Sequence, residues 1–289
     1  MFKKKKDQTY QSYWSISWNI FKKNKVAMVC LFIVILLCLI ALFAPLIAPY
    51  DPNKQVLTDR LMKPCGQHWF GTDDLGRDIF SRIIYGCRVS LSVGIISQII
   101  ATVIGYTMGV CAGYFGGKVD SVISFLIQVF SSFPFLLFAM AIMFVLGPGL
   151  INLYLALGLL GWASTARLIR GDVMRLKKME YIDACKVSGG NSFRIIMKHL
   201  LPNCLSTLIV TVTLGIPNAI MSEASLSFLG LGVKAPMASW GSMISFSQSY
   251  IRSATYYSVI PGLAIIITVL AFNMLGDGLR DALDPKLRS

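Results

Sequence analysis

The stretch Glu180–Asn203, EYIDACKVSGGNSFRIIMKHLLPN, decides how the rest of the chain is interpreted. It is polar and basic, yet it separates two long apolar runs. Small or aromatic residues recur in it at helical spacing, at Tyr181, Ala184, Cys185 and Ser188. A soluble-looking, helix-competent segment between apolar runs indicates a loop on one side of a membrane protein.

The composition of the whole chain is that of a membrane protein. Of its 289 residues, 55% are hydrophobic and only 14% are charged, whereas soluble domains carry about a quarter charged residues. The net charge of +13 comes from basic residues in loops beside apolar runs, where they orient a membrane protein and do not indicate nucleic-acid binding. The seven cysteines are scattered singly, so neither a metal site nor a disulfide framework is expected.

Six helices are predicted that are long enough, or nearly so, to cross about 30 Å of hydrocarbon. These predicted spans are Val26–Ile47, Val89–Gly113, Val122–Leu146, Leu150–Leu168, Leu205–Met221 and Tyr257–Leu275. The first is too long for a cleavable signal peptide, and the prolines of APLIAPYDP end it. The predicted fold class is therefore an all-α polytopic membrane protein in a lipid bilayer.

The basic residues predict the orientation of these spans. With the N-terminus inside, 19 basic residues fall on the cytoplasmic side and 8 on the outer side, so both termini are expected in the cytoplasm. The predicted organisation follows from that orientation. Its parts are a cytoplasmic N-terminal segment 1–25, a first span 26–48, an extracytoplasmic loop 49–88, a core of five helices 89–276 that includes a cytoplasmic loop 170–203, and a cytoplasmic tail 277–289.

Two features missing from the sequence narrow the function. No ionisable residue lies in the middle of a predicted span, whereas ion-coupled transporters and pumps usually need such groups near the midplane. The chain also lacks a Gly-rich phosphate loop ending in Lys–Ser/Thr, so it is not expected to bind ATP in that way. A self-sufficient six-helix secondary transporter or channel is the alternative class, and a membrane enzyme is disfavoured because no catalytic cluster lies in or near a span.

The loop quoted above resembles the cytoplasmic coupling loop, or EAA loop, of ABC-transporter permeases. That pattern has an acidic residue, two small residues, three residues of any kind, a Gly and a later apolar–Pro pair. The matching positions here are Asp183, Ala184, Cys185, Gly189, Leu201 and Pro202. The resemblance implies that these residues receive force from a separate ATPase. The chain departs from the pattern in having Asp183 for Glu, Cys185 for the second Ala, and His199 where an apolar residue is usual.

The coupling loop is expected to fold as two short helices. Gly189–Gly190 would end the first, since Gly tolerates a left-handed conformation at a helix C-terminus. Asn191 or Ser192 would cap the second, roughly Phe193–Leu200, and Pro202 would close it before the fifth span. The small-residue face of the first helix suits insertion into a groove on a partner protein.

A second block, Trp69–Gly86 (WFGTDDLGRDIFSRIIYG), precedes the second span on the outer side. Thr72 or Asp73 is expected to cap an amphipathic helix lying along the membrane interface. The block resembles the GTDxxGRD signature of peptide and nickel permeases. Its three carboxylates suggest a metal site, but capping and ion pairing with Arg77 and Arg82 are the preferred interpretation, and no metal is predicted.

A third block, Glu223–Gly241 (EASLSFLGLGVKAPMASWG), follows the fifth span and resembles the ESxLSFLGLG…SWG stretch of the same transporters. Glu223 is expected either to face the translocation path or to anchor a backbone turn. Gly230 and Gly232 permit irregular backbone, which at membrane depth is tolerated inside protein or along a cavity. We predict a pathway or gate role for Glu223, Ser225, Gly230 and Gly232, with loop packing as the alternative.

One face of the second span carries a small residue at every fourth position. These residues are Ala101, Gly105, Gly109 and Gly113. This small-xxx-small pattern lets helices approach closely. It predicts a packing face, either within the bundle or against a partner.

Together with the opening FKKNKVAMVCLFIVILLCLIALFAPLIAPYDP, these blocks extend the resemblance over nearly the whole chain. The chain resembles the C-type permease of the dipeptide/oligopeptide/nickel branch of bacterial ABC importers, which implies a six-helix type I permease fold in the cell membrane. The resemblance implies a heterodimer with a second permease, two cytoplasmic ATPase subunits that use ATP and Mg²⁺, and an extracytoplasmic solute-binding protein.

That resemblance also implies a mechanism and a cargo. The mechanism is alternating access, in which this chain binds no cofactor and catalyses no reaction. The expected cargo is a di- or oligopeptide, and nickel or a metal chelate is the alternative.

Overall fold

The computed structural model describes residues 13–284, and it confirms the all-α class. Within this range there is no β-strand, only an isolated bridge between Thr72 and Asp78. The α-helices are α1 (Tyr13–Lys23), α2 (Lys25–Leu42), α3 (Ala44–Ile47), α4 (Ile79–Phe115), α5 (Gly117–Ser132), α6 (Phe135–Leu146), α7 (Leu150–Leu176), α8 (Glu180–Val187), α9 (Ser192–Ile195), α10 (Leu201–Phe228), α11 (Trp240–Ser247) and α12 (Thr255–Leu283). The basic residues Lys3–Lys6 and the last part of the predicted tail, 285–289, lie outside the described residues.

Four stretches of helix are long and apolar enough to cross a membrane: α2, α4, α12, and α10 together with the helical turns before it. A fifth crossing results if α5 and α6 count as one bent span. α7, the fourth predicted span, has 27 residues and is therefore about 40 Å long, which is enough to cross, although it is less apolar than the others. Each predicted span thus falls on one of these helices or on the bent pair.

The third predicted span is not one continuous helix. α5 and α6 meet at an angle of 90°, and Pro134 lies between them. Proline has no backbone N–H and disfavours helical backbone at the residue before it, so Phe133 adopts an extended conformation with φ −90° and ψ 139°. The prediction of an unbroken helix over Val122–Leu146 is wrong because this proline breaks it.

α4 and α7 pack along most of their length and run parallel. The pairs that show this direction are Gly105 with Thr165, Gly109 with Ile169, and Gly113 with Val173. A Cβ atom at Gly109 would come 2.7 Å from the carbonyl oxygen of Ala166, so a larger residue would push the two backbones apart. The small-residue face of α4 therefore packs within the chain.

α10 and α12 complete the bundle. α10 runs antiparallel to α4, as shown by the contacts of Gly94 with Ile220 and of Gln98 with Gly215. Gly278, near the end of α12, lies against Ala27 at the start of α2. Cys87 near the start of α4 contacts Leu37 near the end of α2, and Tyr114 at the end of α4 contacts Ser192 of the coupling loop, so the start of α2 and the end of α12 lie on the side of the coupling loop.

The block before α4 is an ion-paired cluster, which we call the outer ion cluster after the side of the membrane that the sequence predicts for it: Asp73, Asp74, Arg77, Arg82 and Tyr257. Asp73 is fully buried, and its Oδ2 accepts a hydrogen bond from Nε of Arg77 at 2.6 Å and lies 3.4 Å from Nε of Arg82. The Tyr257 hydroxyl donates to Asp74 at 3.1 Å and connects the cluster to α12. The predicted ion pairing with Arg77 and Arg82 is confirmed.

No separate interfacial helix forms in this block. α4 begins at Ile79, where Asp78 caps it by accepting from the Ser81 N–H at 2.7 Å, and it continues without interruption through the second predicted span. Thr72 and Asp73, which were predicted as caps, are buried in the loop before the helix. The interfacial prediction is wrong because the charged side chains of the block pair with each other inside the protein.

The second half of the coupling loop continues directly into α10. The predicted helix Phe193–Leu200 is divided into α9 and a π-helical stretch, Ile196–Leu200, and α10 follows at once. The wider π turn precedes Pro202, whose ring would otherwise clash with the carbonyl four residues earlier. Pro202 therefore does not close a helix before the fifth span, and that prediction is wrong.

Candidate functional site

A large cavity runs along the face of the bundle formed by α4, α7 and α10. Its volume is about 1670 Å³, and the bend between α5 and α6 and the end of α12 complete its wall. Some lining residues stay exposed, for example Leu168 at 53% and Met221 at 48%, so the chain alone encloses the cavity only in part. Polar side chains that line it are Gln98, Thr165, Thr207, Thr211, Asn218 and Ser222.

The charged groups of the cavity lie at its coupling-loop end. They are Asp172, Arg175, Arg280 and Asp284. Asp172 accepts a hydrogen bond from the Thr207 hydroxyl at 2.5 Å, and the Arg175 guanidinium lies 3.4 Å from its carboxylate. Elsewhere the described lining residues are uncharged, so a solute in the middle of the cavity meets no fixed charge.

The bend between α5 and α6 presents aromatic rings to the cavity. Phe130, Phe133 and Phe135 line it, and the rings of Phe133 and Phe138 lie 5.3 Å apart between centroids. These residues were not predicted to line a site, because the sequence predicts a plain span for this region. The signal was Pro134 in the middle of an apolar run.

A single buried side chain holds α8 to the bundle. Ile182 is fully buried in a cluster with residues of α7 and the start of α10, whereas the rest of α8 is exposed or half-buried. Gly189 follows the end of α8 with φ +81°, and Asn191 caps α9 by accepting from the Arg194 N–H at 2.8 Å. The predicted helix end at Gly189–Gly190 and the cap at Asn191 are confirmed.

The acidic residue of the coupling pattern lies on the surface. Asp183 is exposed and pairs with Lys186 at 2.7 Å, and Ala184 beside it is also exposed. Cys185 is half-buried, with its Sγ 3.6 Å from Nε2 of His199. At the other end of the pattern, Pro202 is exposed and lines the large cavity. The pattern thus spans from the tip of the coupling loop to the mouth of the cavity.

The small-residue face of α8 is mostly exposed and borders a concavity at the surface. Tyr181, Ala184, Cys185 and Ser188 line a concavity of about 380 Å³ together with Arg194, Lys198 and His199. Partial burial raises the pKa of Tyr181 above its ordinary value, as does nearby Cys204.

Two large apolar side chains of the coupling loop project into the surroundings. Val187 is 89% exposed and Phe193 is 71% exposed, and they flank the Gly189–Gly190 turn. Neither residue was predicted as a contact residue, because the prediction rested on the small-residue face of α8. The signal was available as two large apolar residues on either side of a glycine turn in a polar segment.

The predicted pathway residues after the fifth span separate into two groups. Glu223 is fully buried and accepts hydrogen bonds from Ser227 at 2.7 Å and Ser239 at 2.6 Å, and it does not line the cavity. Ser225, on the same helix, does line the cavity. The pathway role of Glu223 stays a prediction. Its two hydrogen bonds are those of a side chain that anchors a turn.

The two glycines of this block also lie away from the cavity. Gly230 has φ +80° and open space around it, whereas a Cβ atom at Gly232 would lie 1.9 Å from the Ser227 hydroxyl oxygen. Within residues 13–284, no group of three or more His, Cys, Asp or Glu side chains is arranged to hold a metal ion.

Two family models match this chain. Residues 102–289 match "Binding-protein-dependent transport system inner membrane component", and residues 12–64 match the "N-terminal TM domain of oligopeptide transport permease C". The first model alone covers more than half of the chain.

Curated relatives match over almost the full length. The dipeptide transport system permease protein DppC of Bacillus subtilis is 46% identical over 96% of this chain and 87% of its own length. The oligopeptide transport system permease protein OppC of the same organism is 42% identical over 96% and 91%. The glutathione transport system permease protein GsiD of Pectobacterium atrosepticum is 41% identical over 98% and 95%.

A solved structure shares the fold. The inward-facing MetNI methionine ABC transporter matches with a TM-score of 0.58 and 19% identity, over 71% of this chain and 98% of the matched chain. At this identity the likeness shows the fold alone, which is the type I ABC importer permease fold. The chain therefore belongs to the binding-protein-dependent transport system inner membrane component family and is a multi-pass inner-membrane permease of an ABC importer.

Proposed function

We propose that this chain forms half of the translocation pathway of an ATP-driven importer of di- and oligopeptides. The observation that carries the proposal is the cavity of about 1670 Å³ whose middle is lined by uncharged polar groups. Peptides differ in the charge of their side chains, so a pathway without fixed charge at its middle admits them without selecting one sign. The names of the 46% and 42% identical relatives support the same cargo.

The open side of the cavity points to a second permease subunit. The exposed lining residues of α7 and α10 include the apolar Leu168 and Met221 as well as polar residues such as Asn218, and a homologous chain packed there would close the pathway. The complete importer in this proposal is a heterodimer of permeases, with an extracytoplasmic solute-binding protein on the outer side. It also has two cytoplasmic ATPase subunits. In this proposal the coupling loop and both termini of this chain lie in the cytoplasm.

The coupling loop is the proposed contact with the ATPase. Val187 and Phe193 would insert into an apolar groove of that subunit, while Ile182 transmits its movement to α7 and α10. ATP and Mg²⁺ are bound by the ATPase subunits, and this chain carries no cofactor and no catalytic residue. ATP binding would favour one of two arrangements of the bundle, which gives alternating access.

Purification of the tagged chain from its native membrane in mild detergent tests the assembly. We expect a second permease and ATPase subunits to copurify, and ATP-dependent uptake of dialanine by the reconstituted complex with its binding protein. Uptake of Ni²⁺ or a nickel chelate and not of dialanine would show that the cargo is nickel and not a peptide. A chain that purifies alone and transports in liposomes without ATP would contradict the proposal.

Replacement of Gly189 by Trp tests the coupling loop. We expect the variant to insert into the membrane but to lose uptake, because an indole at the tip of the loop obstructs the contact with the ATPase. Gly116→Trp is the matched control, since Gly116 has a similar φ of +69° and, like Gly189, has no atom within 4 Å of a built Cβ. Normal uptake by the Gly189 variant would refute the coupling role.

A further inference from the structure

Two hydroxyl groups on the wall of the cavity lack a hydrogen-bond partner among the described residues: Ser97 Oγ of α4 and Thr165 Oγ1 of α7. Both residues are almost fully buried, at 2% and 1% exposure. Hydroxyls in membrane helices ordinarily bond to a carbonyl of the preceding turn, as Thr211 does to Thr207 at 2.7 Å. Leaving two such groups unpaired is costly, so they require an explanation.

Both hydroxyls lie along the pair of helices α4 and α7. Ser97 is level with Gly158 of α7, where a Cβ atom would come 3.2 Å from the Ser97 carbonyl oxygen, and Thr165 is level with Gly105 of α4. Positions 97 and 105 of α4 are separated by about 12 Å along the helix axis at about 1.5 Å per residue. Gln98 adds an amide beside the first hydroxyl and lies over Gly215, which leaves room for it.

We propose that Ser97 and Thr165 bind backbone amide groups of the peptide as it passes through the cavity. The proposal rests on the proposed function. A hydroxyl can both donate and accept, so it can pair with the N–H or the C=O that every peptide carries. An extended peptide advances about 3.3–3.6 Å per residue, so a tripeptide meets the two hydroxyls, about 12 Å apart, one after the other.

This arrangement explains how one pathway can pass peptides of different sequence. The binding groups are uncharged and address the backbone, and the charged groups Asp172 and Arg175 occur only at the coupling-loop end. Ordered water or a side chain of the second permease are the other possible partners of these hydroxyls. Both of these alternatives predict a result in the second experiment below that differs from the result expected for a peptide contact.

The first experiment compares uptake with ATP hydrolysis in the reconstituted complete importer, with trialanine as the probe. Ser97→Ala and Thr165→Val remove the hydroxyls. We expect each variant to lower the number of peptides imported per ATP about 3- to 10-fold, because one hydrogen bond to the peptide is lost. The ATPase activity stimulated by the binding protein should be unchanged. Thr165→Ser keeps the hydroxyl and should restore import.

Thr107→Val is the matched control on α4. Thr107 is exposed, does not line the cavity, and its hydroxyl donates to the carbonyl of Val103 in its own helix. We expect import and ATPase of this variant to equal those of the wild type. A fall of uptake and ATPase together in the Ser97 and Thr165 variants would show a structural role and overturn the proposal, as would import equal to wild type.

The second experiment varies the substrate. A trialanine analogue with methylated amide nitrogens is compared with trialanine at concentrations that saturate the binding protein, as established by titration. Methylation should lower import per ATP by the wild type but have little further effect in the Ser97→Ala/Thr165→Val double variant, because the contact is already absent. An equal penalty in both proteins would assign the hydroxyls to water or to the second permease and overturn the proposal.

The two proposals fail in different ways. A wild-type importer that does not take up trialanine at all refutes the proposed cargo, and the inference falls with it. A wild type that imports trialanine beside variants that import it equally well refutes only the inference.

Discussion

The outer ion cluster and the coupling loop are both polar segments at the ends of the bundle, but they are built in opposite ways. In the outer ion cluster, Asp73 and Arg77 form an ion pair of 2.6 Å with side chains 0% and 6% exposed. In the coupling loop, Asp183 and Lys186 form a pair of 2.7 Å with side chains 65% and 40% exposed. Ion pairs with similar N–O distances are therefore buried in one region, and exposed and screened by water in the other.

Glycines show the same contrast. Gly76 and Gly189 both have positive φ, +71° and +81°. A Cβ atom at Gly76 would lie 1.8 Å from the carbonyl oxygen of Val56, whereas a Cβ atom at Gly189 would meet nothing within 4 Å. The outer region is thus enclosed by its own backbone, and the coupling loop is left open for a partner. The difference separates a region that stabilises the chain from the region that we propose contacts an ATPase subunit.

The largest effect is expected for Asp73→Asn. Loss of this carboxylate leaves the buried Arg77 and Arg82 without their shared partner, which should cost about 3–5 kcal/mol of folding free energy. The measurement is the midpoint of thermal unfolding of the purified protein in detergent, with the yield of monodisperse protein as a second readout. An unfolding midpoint within one degree of wild type would show that the outer ion cluster does not stabilise the fold more than the coupling loop does.

A smaller effect is expected for Gly76→Ala. The substitution forces a left-handed conformation on a residue with a Cβ and drives that atom into the Val56 backbone, at a cost of about 2–4 kcal/mol. Gly189→Ala carries the conformational cost alone, about 1–2 kcal/mol, and affects only the loop. Thermal unfolding and limited proteolysis of the two variants test the difference, and equal losses would show that the coupling loop is more enclosed than described.

The smallest effect is expected for Asp183→Asn. Its ion pair with Lys186 is exposed, so removal of the charge should change the folding free energy by less than about 1 kcal/mol. In the same variant, ATP-driven uptake reports whether the carboxylate contacts the ATPase. Unchanged stability with reduced uptake would sharpen the comparison, whereas a large drop in the unfolding midpoint would place Asp183 among the residues that hold the fold.

Much of this architecture could be predicted from the sequence, because apolar runs and Gly spacing are local signals. The helix end at Gly189 and the cap at Asn191 follow from backbone preferences that depend on a few neighbouring residues. The face formed by Gly105 and Gly109 could be predicted as a packing surface, but the sequence does not say which helix covers it.

Some errors arose where long-range contacts decide the structure, whereas the break at Pro134 had a local signal. The block around Asp73 and Arg82 was predicted to form an amphipathic helix at the membrane interface, yet these two residues are buried in the interior and no separate helix forms there. The unpaired hydroxyls of Ser97 and Thr165 could not be found in the sequence, since a partner is missing only after the helices are packed. Val187 and Phe193 were visible as apolar residues, but their exposure depends on the direction in which α8 is anchored.

One consequence follows from the length of α4. Its 37 residues contain no proline and extend about 55 Å, well beyond the roughly 30 Å of hydrocarbon. At one end Arg82 belongs to the outer ion cluster, and at the other the Tyr114 hydroxyl lies 3.4 Å from that of Ser192 in the coupling loop, while Lys177 holds the Tyr114 carbonyl at 2.5 Å. Because α4 is one unbroken helix joined to a different region at each end, we expect a tilt of α4 to move its two ends together and in opposite directions.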